Sequence, residues 1–197
     1  MKKNEGRSHG AAPLFAPALD RVDALPCATV AFGAAVLFLT TFSTHVGTGD
    51  APESVAGVKT LGILHAPGYP AYVLAAHAFG TVFAFGSWAA RVNAFSVVCA
   101  SLAIGLLYLL ARALGTTRAG AAIGAAGVAT AASFWYNAAF AKHYAFSALL
   151  IVAAALLAVS ARDETWRLAS AGVLFGVAAG ASWELSVITL FAVAAWY

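Results

Sequence analysis

The sequence predicts an all-α fold, a polytopic bundle of transmembrane helices, and three observations carry that prediction. Apolar residues make up 62% of the chain and charged ones only 10%, against roughly a quarter charged in soluble domains. Mean hydropathy is +0.84. The eight acidic and eleven basic side chains leave uncharged runs long enough to cross a bilayer core of about 30 Å as helix. Together these features exclude a single soluble globular domain. The formal charge of +3 comes from scattered positions rather than a basic stripe, so no nucleic-acid partner is expected. Cys27 and Cys99 lie inside apolar runs, where neither a structural disulfide nor a metal site is expected, and they read as core residues.

Charges act as fences, and the spans are read from the gaps between them. A polar N-terminal tail, 1–26, carries Lys2, Lys3, Arg7 and Arg21 and precedes a first span at about 27–43. So long a polar lead argues for an anchor with a cytoplasmic N-terminus rather than a cleaved signal peptide. Arg91 and Arg112 bracket a second span, about 92–110. The third, about 119–132, is rich in Ala and Gly, which permits close packing in lipid. A fourth runs from about 144 to 160, a fifth from 168 to 182 and a sixth from 185 to 197, so that 27–197 reads as one transmembrane module. Arg112 with Arg118, and Arg162 with Arg167, mark two loops as cytoplasmic by the positive-inside rule. The segment 44–90 then lies on the external face. Within it the apolar stretch 71–85 is short for a crossing and carries His77. Were it to span, both arginine pairs would face outward, so it reads as an interfacial helix.

In such a protein the informative residues are the ionisable ones at helix ends, because a charge in lipid is costly unless paired or wet. The first external loop places Asp50, Glu53, Lys59, His65 and Tyr69 close together in the chain. Gly47, Gly49 and Pro52 form a turn that opens a short helix. Asp50 reads there either as a helix N-cap with a solvated Glu53 beside it, or as a catalytic base supported by Glu53. With no DxD or multi-His pattern, no metal ligands are assigned. A divalent cation shared by two carboxylates and substrate phosphate oxygens is the one metal arrangement left open. The block from His65 to Pro70 has two prolines and a glycine that fix an extended turn. Its tyrosine reads as an interfacial belt residue or as part of a site, whereas His65 is expected to face a polar cavity. His77 reads as a packing histidine. The second external loop offers Trp135, Tyr136, Lys142, His143 and Tyr144. Lys142 is either a phosphate clamp or an interfacial anchor, and Trp135 and Tyr136 read as belt residues. Glu184, at the outer turn before the sixth span, either pairs with Lys142 or Arg91 or is wet. Asp163 and Glu164 read as a solvated cytoplasmic turn.

The order and spacing of several blocks resemble the protein O-mannosyltransferase-like family of multi-span proteins within the GT-C glycosyltransferase superfamily. They are Asp50-Ala-Pro-Glu53, Thr60-Leu-Gly-Ile63, His65-Ala-Pro-Gly-Tyr-Pro70, Arg91-Val-Asn-Ala-Phe-Ser96, Phe134-Trp135 and Ala141-Lys-His-Tyr144, covering about 42–146. The resemblance implies an inverting enzyme that moves a sugar, typically mannose, from a polyprenyl-phosphate donor to a protein or glycan acceptor on the external or lumenal face. It implies Asp50 as the residue that activates the acceptor hydroxyl, with Glu53 supporting it and His65 and Tyr69 shaping the site. Arg91 would then lie near the donor phosphate, with Lys142, His143 and Tyr144 closing the pocket. A carboxylate base and a cationic phosphate clamp are what such a reaction needs.

Two residues and one turn depart from the family pattern. Gly49 stands where a tryptophan usually precedes the aspartate, which removes an aromatic wall. Lys142 stands where an acidic residue is expected, which alters the charge of the pocket. Ala181, Ser182, Trp183 and Glu184 occupy the turn where a polar pair is expected. Members of the superfamily generally have more spans, so a fragment or a shortened homologue is implied. The competing class is a non-catalytic membrane protein: an inactive homologue, a scaffold that binds lipid phosphates, or a piece of a transporter. Transport is disfavoured by the lack of a charge at the centre of any expected span.

Overall fold

The computed structural model describes residues 21–161 and 164–195, and there the chain is helical with no strand. Lys2, Lys3, Arg7, Arg162, Asp163 and the end of the expected sixth span lie outside the described residues. A 3-10 turn, Arg21–Asp23, leads into α1, Ala24–Leu39. The 19 residues together reach about 28 Å at 1.5 Å per residue. The helix stops short of the expected 43 because its last turn tightens. Thr40 and Thr41 donate backbone N–H groups to the carbonyls of Leu37 and Phe38, and their hydroxyls turn back to the same two carbonyls at 2.6 and 3.3 Å.

The segment between α1 and the next long helix holds two short helices, α2, Ala51–Thr60, and α3, Pro70–Val82. Both begin with proline in the first turn, where its missing N–H costs nothing. Leu61 closes α2 in the left-handed region, with φ 53°, and Gly62 N–H reaches back to the Gly57 carbonyl at 2.9 Å. The chain therefore reverses sharply before the His65 turn. α3 coincides with most of the expected interfacial segment, ending three residues earlier, at Val82.

The long helix α4, Trp88–Ala113, is the centre of the bundle and has 26 residues. Ser87 caps it by accepting the Ala90 N–H at 3.2 Å. Next come α5, Arg118–Thr130, α6, Ala132–Ala139, and α7, Tyr144–Val159. The last two helices are α8, Thr165–Ala179, and α9, Trp183–Ala194. α1, α5 and α7 pack around α4, and α8 packs on α7. Ala121, Ala125 and Ala129 are the buried residues of α5, spaced by four so that one face of small side chains meets its neighbours. A Cβ on Gly105 of α4 would lie 3.0 Å from that of Ala31, and Cys27 Sγ donates to the Gly105 carbonyl at 3.3 Å, so α1 and α4 cross closely. Both cysteines are free, and Cys99 is buried.

By length and composition, the segment Arg21–Leu39 and α4 qualify as membrane crossings, and a third does if α6 and α7, bent by 112°, form one broken span. α8 and α9 are apolar but shorter. The helix at the expected third span, α5, has 13 residues, about 20 Å.

The two ends of the bundle are tied differently. At one, Asp23 is 1% exposed, and its Oδ1 accepts from Tyr108 Oη at 3.2 Å, Arg112 Nε at 3.1 Å and Arg118 Nε at 2.9 Å. One carboxylate thus joins the start of α1 to the end of α4 and the start of α5. At the other end, buried Asn93 donates to the carbonyls of Ser43 and His45 at 2.8 and 3.1 Å, and Ser87 Oγ donates to that of Thr44 at 2.9 Å. Trp135 Nε1 donates to Thr41 Oγ1 at 2.8 Å. These bonds lay the chain after α1 across the mouth of the bundle and aim it at α2.

Candidate active site

The turn formed by Gly47 to Asp50 delivers Asp50 to the start of α2. Gly49 has φ +67°, a conformation that L side chains rarely adopt. Asp50 occupies the N-cap position but its side chain makes no capping hydrogen bond. Among the described residues its exposed carboxylate has no hydrogen-bond or ion-pair partner, so the capping role does not account for it.

Glu53, one turn along α2, is fully engaged. Oε2 lies 2.7 Å from His65 Nδ1, and Oε1 accepts the backbone N–H of His65. These bonds hold the Glu53 carboxyl below its ordinary 4.5 and raise the His65 imidazole above 6.5, the latter also under the charge of Asp50. Both Glu53 oxygens thus accept from one residue, His65. Among the described residues no group of three His, Cys, Asp or Glu side chains is placed to hold a metal.

His65 faces Tyr69, whose hydroxyl is 3.5 Å from Nε2, at the outer limit of a hydrogen bond. Tyr69 is buried, and its backbone is left-handed at φ 47°, a conformation uncommon outside glycine and frequent where surrounding structure imposes it at functional sites. Two features impose it here: Gly68 turns the chain at φ +96°, and the Ala71 N–H docks on the Gly180 carbonyl at the end of α8 at 3.1 Å. The phenol ring stacks on the buried His143 imidazole, with centroids 3.9 Å apart and planes 13° from parallel. Burial raises the Tyr69 hydroxyl above its ordinary 10.0, and the negative charges of Glu184, Asp50 and Glu53 add to the shift.

The bend between α6 and α7 closes the other side. His143 precedes α7, and its ring is 4.1 Å from that of exposed Tyr144. Lys142 Nζ sits over the Tyr136 ring at 5.1 Å, while Tyr136 Oη bonds Thr48 Oγ1 at 3.1 Å. Trp135 and Tyr136 therefore hold the loop before α2. A Cβ built on Gly49 would be 3.8 Å from Lys142 Nζ, so the ammonium borders the residue next to Asp50. A cavity of about 200 Å³ opens beside Tyr144, lined by Phe134, Asn137, Ala145, Ala148 and Leu185.

The chain thus brings Asp50, Glu53, His65, Tyr69, Lys142, His143 and Tyr144 to one end of the bundle. Arg91, near the start of α4, is engaged with α3. Its guanidinium donates to the carbonyls of Gly80, Phe85 and Gly86 at 3.1, 3.0 and 3.2 Å and lies over the Trp88 ring at 5.2 Å. Gly80 is ten residues along α3 from Pro70, about 15 Å at helical rise, so Arg91 closes the far end of α3. His77 is a satisfied packing residue, its Nδ1 bonded to the Val58 carbonyl at 2.8 Å and its ring stacked on Trp88. Glu184, which the sequence left without a place in the site, belongs beside it. Its carboxylate accepts from Ser182 Oγ at 3.2 Å and its field reaches Tyr69. The signal in sequence was its position in the first turn of α9, facing the same end as Lys142.

A family model described as the protein O-mannosyl-transferase TMEM260 N-terminal domain matches residues 50–197. The mouse protein O-mannosyl-transferase TMEM260 is 36% identical over 94 residues, which are 48% of this chain and 13% of the mouse protein. The chain therefore matches only a small part of that relative's length. No solved structure matches.

Proposed function

The chain belongs to the family of the protein O-mannosyl-transferase TMEM260 N-terminal domain, and from that premise we propose that it is the module of a membrane glycosyltransferase that carries the reaction centre. The sugar, by this reading mannose, comes from a polyprenyl-phosphate donor and goes to a hydroxyl of a protein or glycan acceptor at the external or lumenal face. The observation that carries the reading is Asp50, a carboxylate left unpartnered among the described residues beside a lysine and a strained, buried tyrosine.

In this mechanism the acceptor oxygen attacks the anomeric carbon as its proton passes to Asp50. The bond from that carbon to the phosphate oxygen breaks, the electron pair stays on the phosphate, and the configuration inverts. Lys142 neutralises the charge that gathers on the leaving phosphate. The cavity running from Tyr144 along Ala145 and Ala148 of α7 is apolar along its floor and suits the start of an isoprenoid tail lying in the bilayer. By this reading membrane lipids surround the crossing helices, the N-terminus is cytoplasmic and α2 and α3 lie outside. Arg91 gives three of its five N–H groups to the end of α3, so this reading assigns the donor phosphate to Lys142 first.

Sugar transfer from labelled polyprenyl-phosphate mannose, measured in membranes of the native host, tests the reading by comparing the intact gene with Asp50→Asn. Loss of transfer at equal protein level is expected. Equal transfer by both, above a gene-deletion control, moves the base elsewhere, and no transfer from any form moves the function to another donor or to the non-catalytic class. Reporter fusions at Gly115 and Pro52 check the orientation: the first should read cytoplasmic and the second external.

A further inference from the structure

Glu53 was expected to support Asp50, yet both of its oxygens are spent on His65. An ionised carboxylate only accepts hydrogen bonds, so Nδ1 of His65 carries the hydrogen that faces it. In the neutral ring the other nitrogen, Nε2, is then the lone-pair end, and it is the end that faces the Tyr69 hydroxyl. The phenol in turn has only one hydrogen, and if that hydrogen points to Nε2 its two lone pairs point elsewhere. The Tyr69 ring is fixed by stacking on His143 and by the left-handed backbone at its own Cα, so only the hydroxyl hydrogen is left to orient.

We propose that Glu53 is a positioning residue that acts through His65. It locks the tautomer in which Nε2 accepts the Tyr69 hydroxyl hydrogen, so that the tyrosine presents an acceptor to a substrate hydroxyl. Resting on the transferase reading above, this assigns Tyr69 as the contact that orients a sugar or acceptor hydroxyl by taking its hydrogen, with Asp50 left free as the base. The arrangement follows the general logic of an imidazole oriented by a carboxylate behind it. The groups that bear on this chain are Asp50 and Glu53 from α2, Lys142, His143 and Tyr144 from the bend before α7, and Glu184 from α9.

The test separates the relay from the transferase reading. In the full chain held in detergent micelles with labelled histidine, at a pH alkaline enough to leave the raised imidazole neutral, nitrogen spectra assigned with His65→Gln should show His65 with hydrogen on Nδ1. Tyr69→Phe, which keeps the stacked ring, should move the Nε2 signal towards that of an unbonded nitrogen, and Glu53→Gln should bring in the opposite tautomer. An unmoved Nε2 signal in Tyr69→Phe, or an unchanged tautomer in Glu53→Gln, overturns the proposal. In the transfer assay each single variant should lower kcat by about tenfold, the worth of one oriented hydrogen bond, and the double variant should be no worse than either single. Additive losses would mean that the two residues act separately and would sink the relay. If the spectra behave as expected but no form transfers sugar, the transferase reading fails and the relay stands.

Discussion

Asp23 and Asp50 are both carboxylates at the start of a helix, and the molecule treats them in opposite ways. Asp23 is sealed from solvent under a phenol and two guanidinium groups, all three on one oxygen. Asp50 is exposed, capping nothing and paired with nothing among the described residues. The cations show the same contrast. Arg112 and Arg118 are drawn onto a carboxylate, whereas Lys142 rests on an aromatic face beside Gly49. One end of the bundle uses its charges to register three helices against one another, and the other holds them in reserve at a bend. A carboxylate already neutralised by two arginines is a poor proton acceptor, and one held only by its backbone is available.

That contrast breaks or sharpens with substitution. Asp50→Asn should give the largest effect, a loss of about a hundredfold to ten-thousandfold in transfer with stability unchanged within about 0.5 kcal/mol. A thermal melt of the purified protein beside the membrane assay checks both halves. Asp23→Asn should do the reverse. Breaking a buried ion pair from one side costs about 3–5 kcal/mol, and Arg118 is exposed enough to place the loss near the lower figure. The expected outcome is a lowered melting temperature, with transfer per folded molecule retained. If Asp23→Asn instead abolished transfer at full stability, the division between the two ends would be wrong.

Arg91→Gln should be smaller again, about 1–2 kcal/mol for its bonds to three carbonyls. Faster hydrogen exchange should follow at the end of α3, and KM for the donor should not change. A raised KM would return Arg91 to the phosphate. The smallest effect belongs to the Glu53–His65 clasp. The lowered carboxyl contributes above its ordinary 4.5 and is lost as pH falls through its lowered value. The raised imidazole contributes below its ordinary 6.5 and is lost as pH rises through its raised value. The clasp is therefore tightest between pH 4.5 and 6.5, and proteolysis of the turn after Leu61 should be slowest in that window.

Much of the helical order was legible because charge spacing and apolar runs are properties of the chain itself. The segment 71–85, read from its short apolar run and the arginine pairs that follow it, coincides with α3 to within three residues. Legibility ended where a side chain's partner comes from a distant turn. Asp23 read only as a fence, because Tyr108, Arg112 and Arg118 reach it through two helix crossings. Glu53 and Asp50, near in sequence, looked like partners. The reversal at Leu61 gave Glu53 to His65 instead. Arg91 opens α4 next to the loop that carries the site, which made it read as a phosphate ligand, but the end of α3 folds back onto it and takes three of its five N–H groups.

The backbone at Gly49 limits how this site can be redesigned. A tryptophan at that position would need a backbone angle that costs L-residues about 1–2 kcal/mol and would be built into the space beside the Lys142 ammonium. An engineer who wants the aromatic wall must therefore let the turn before α2 change its backbone at Gly49, because clearing the lysine alone leaves the strained angle in place.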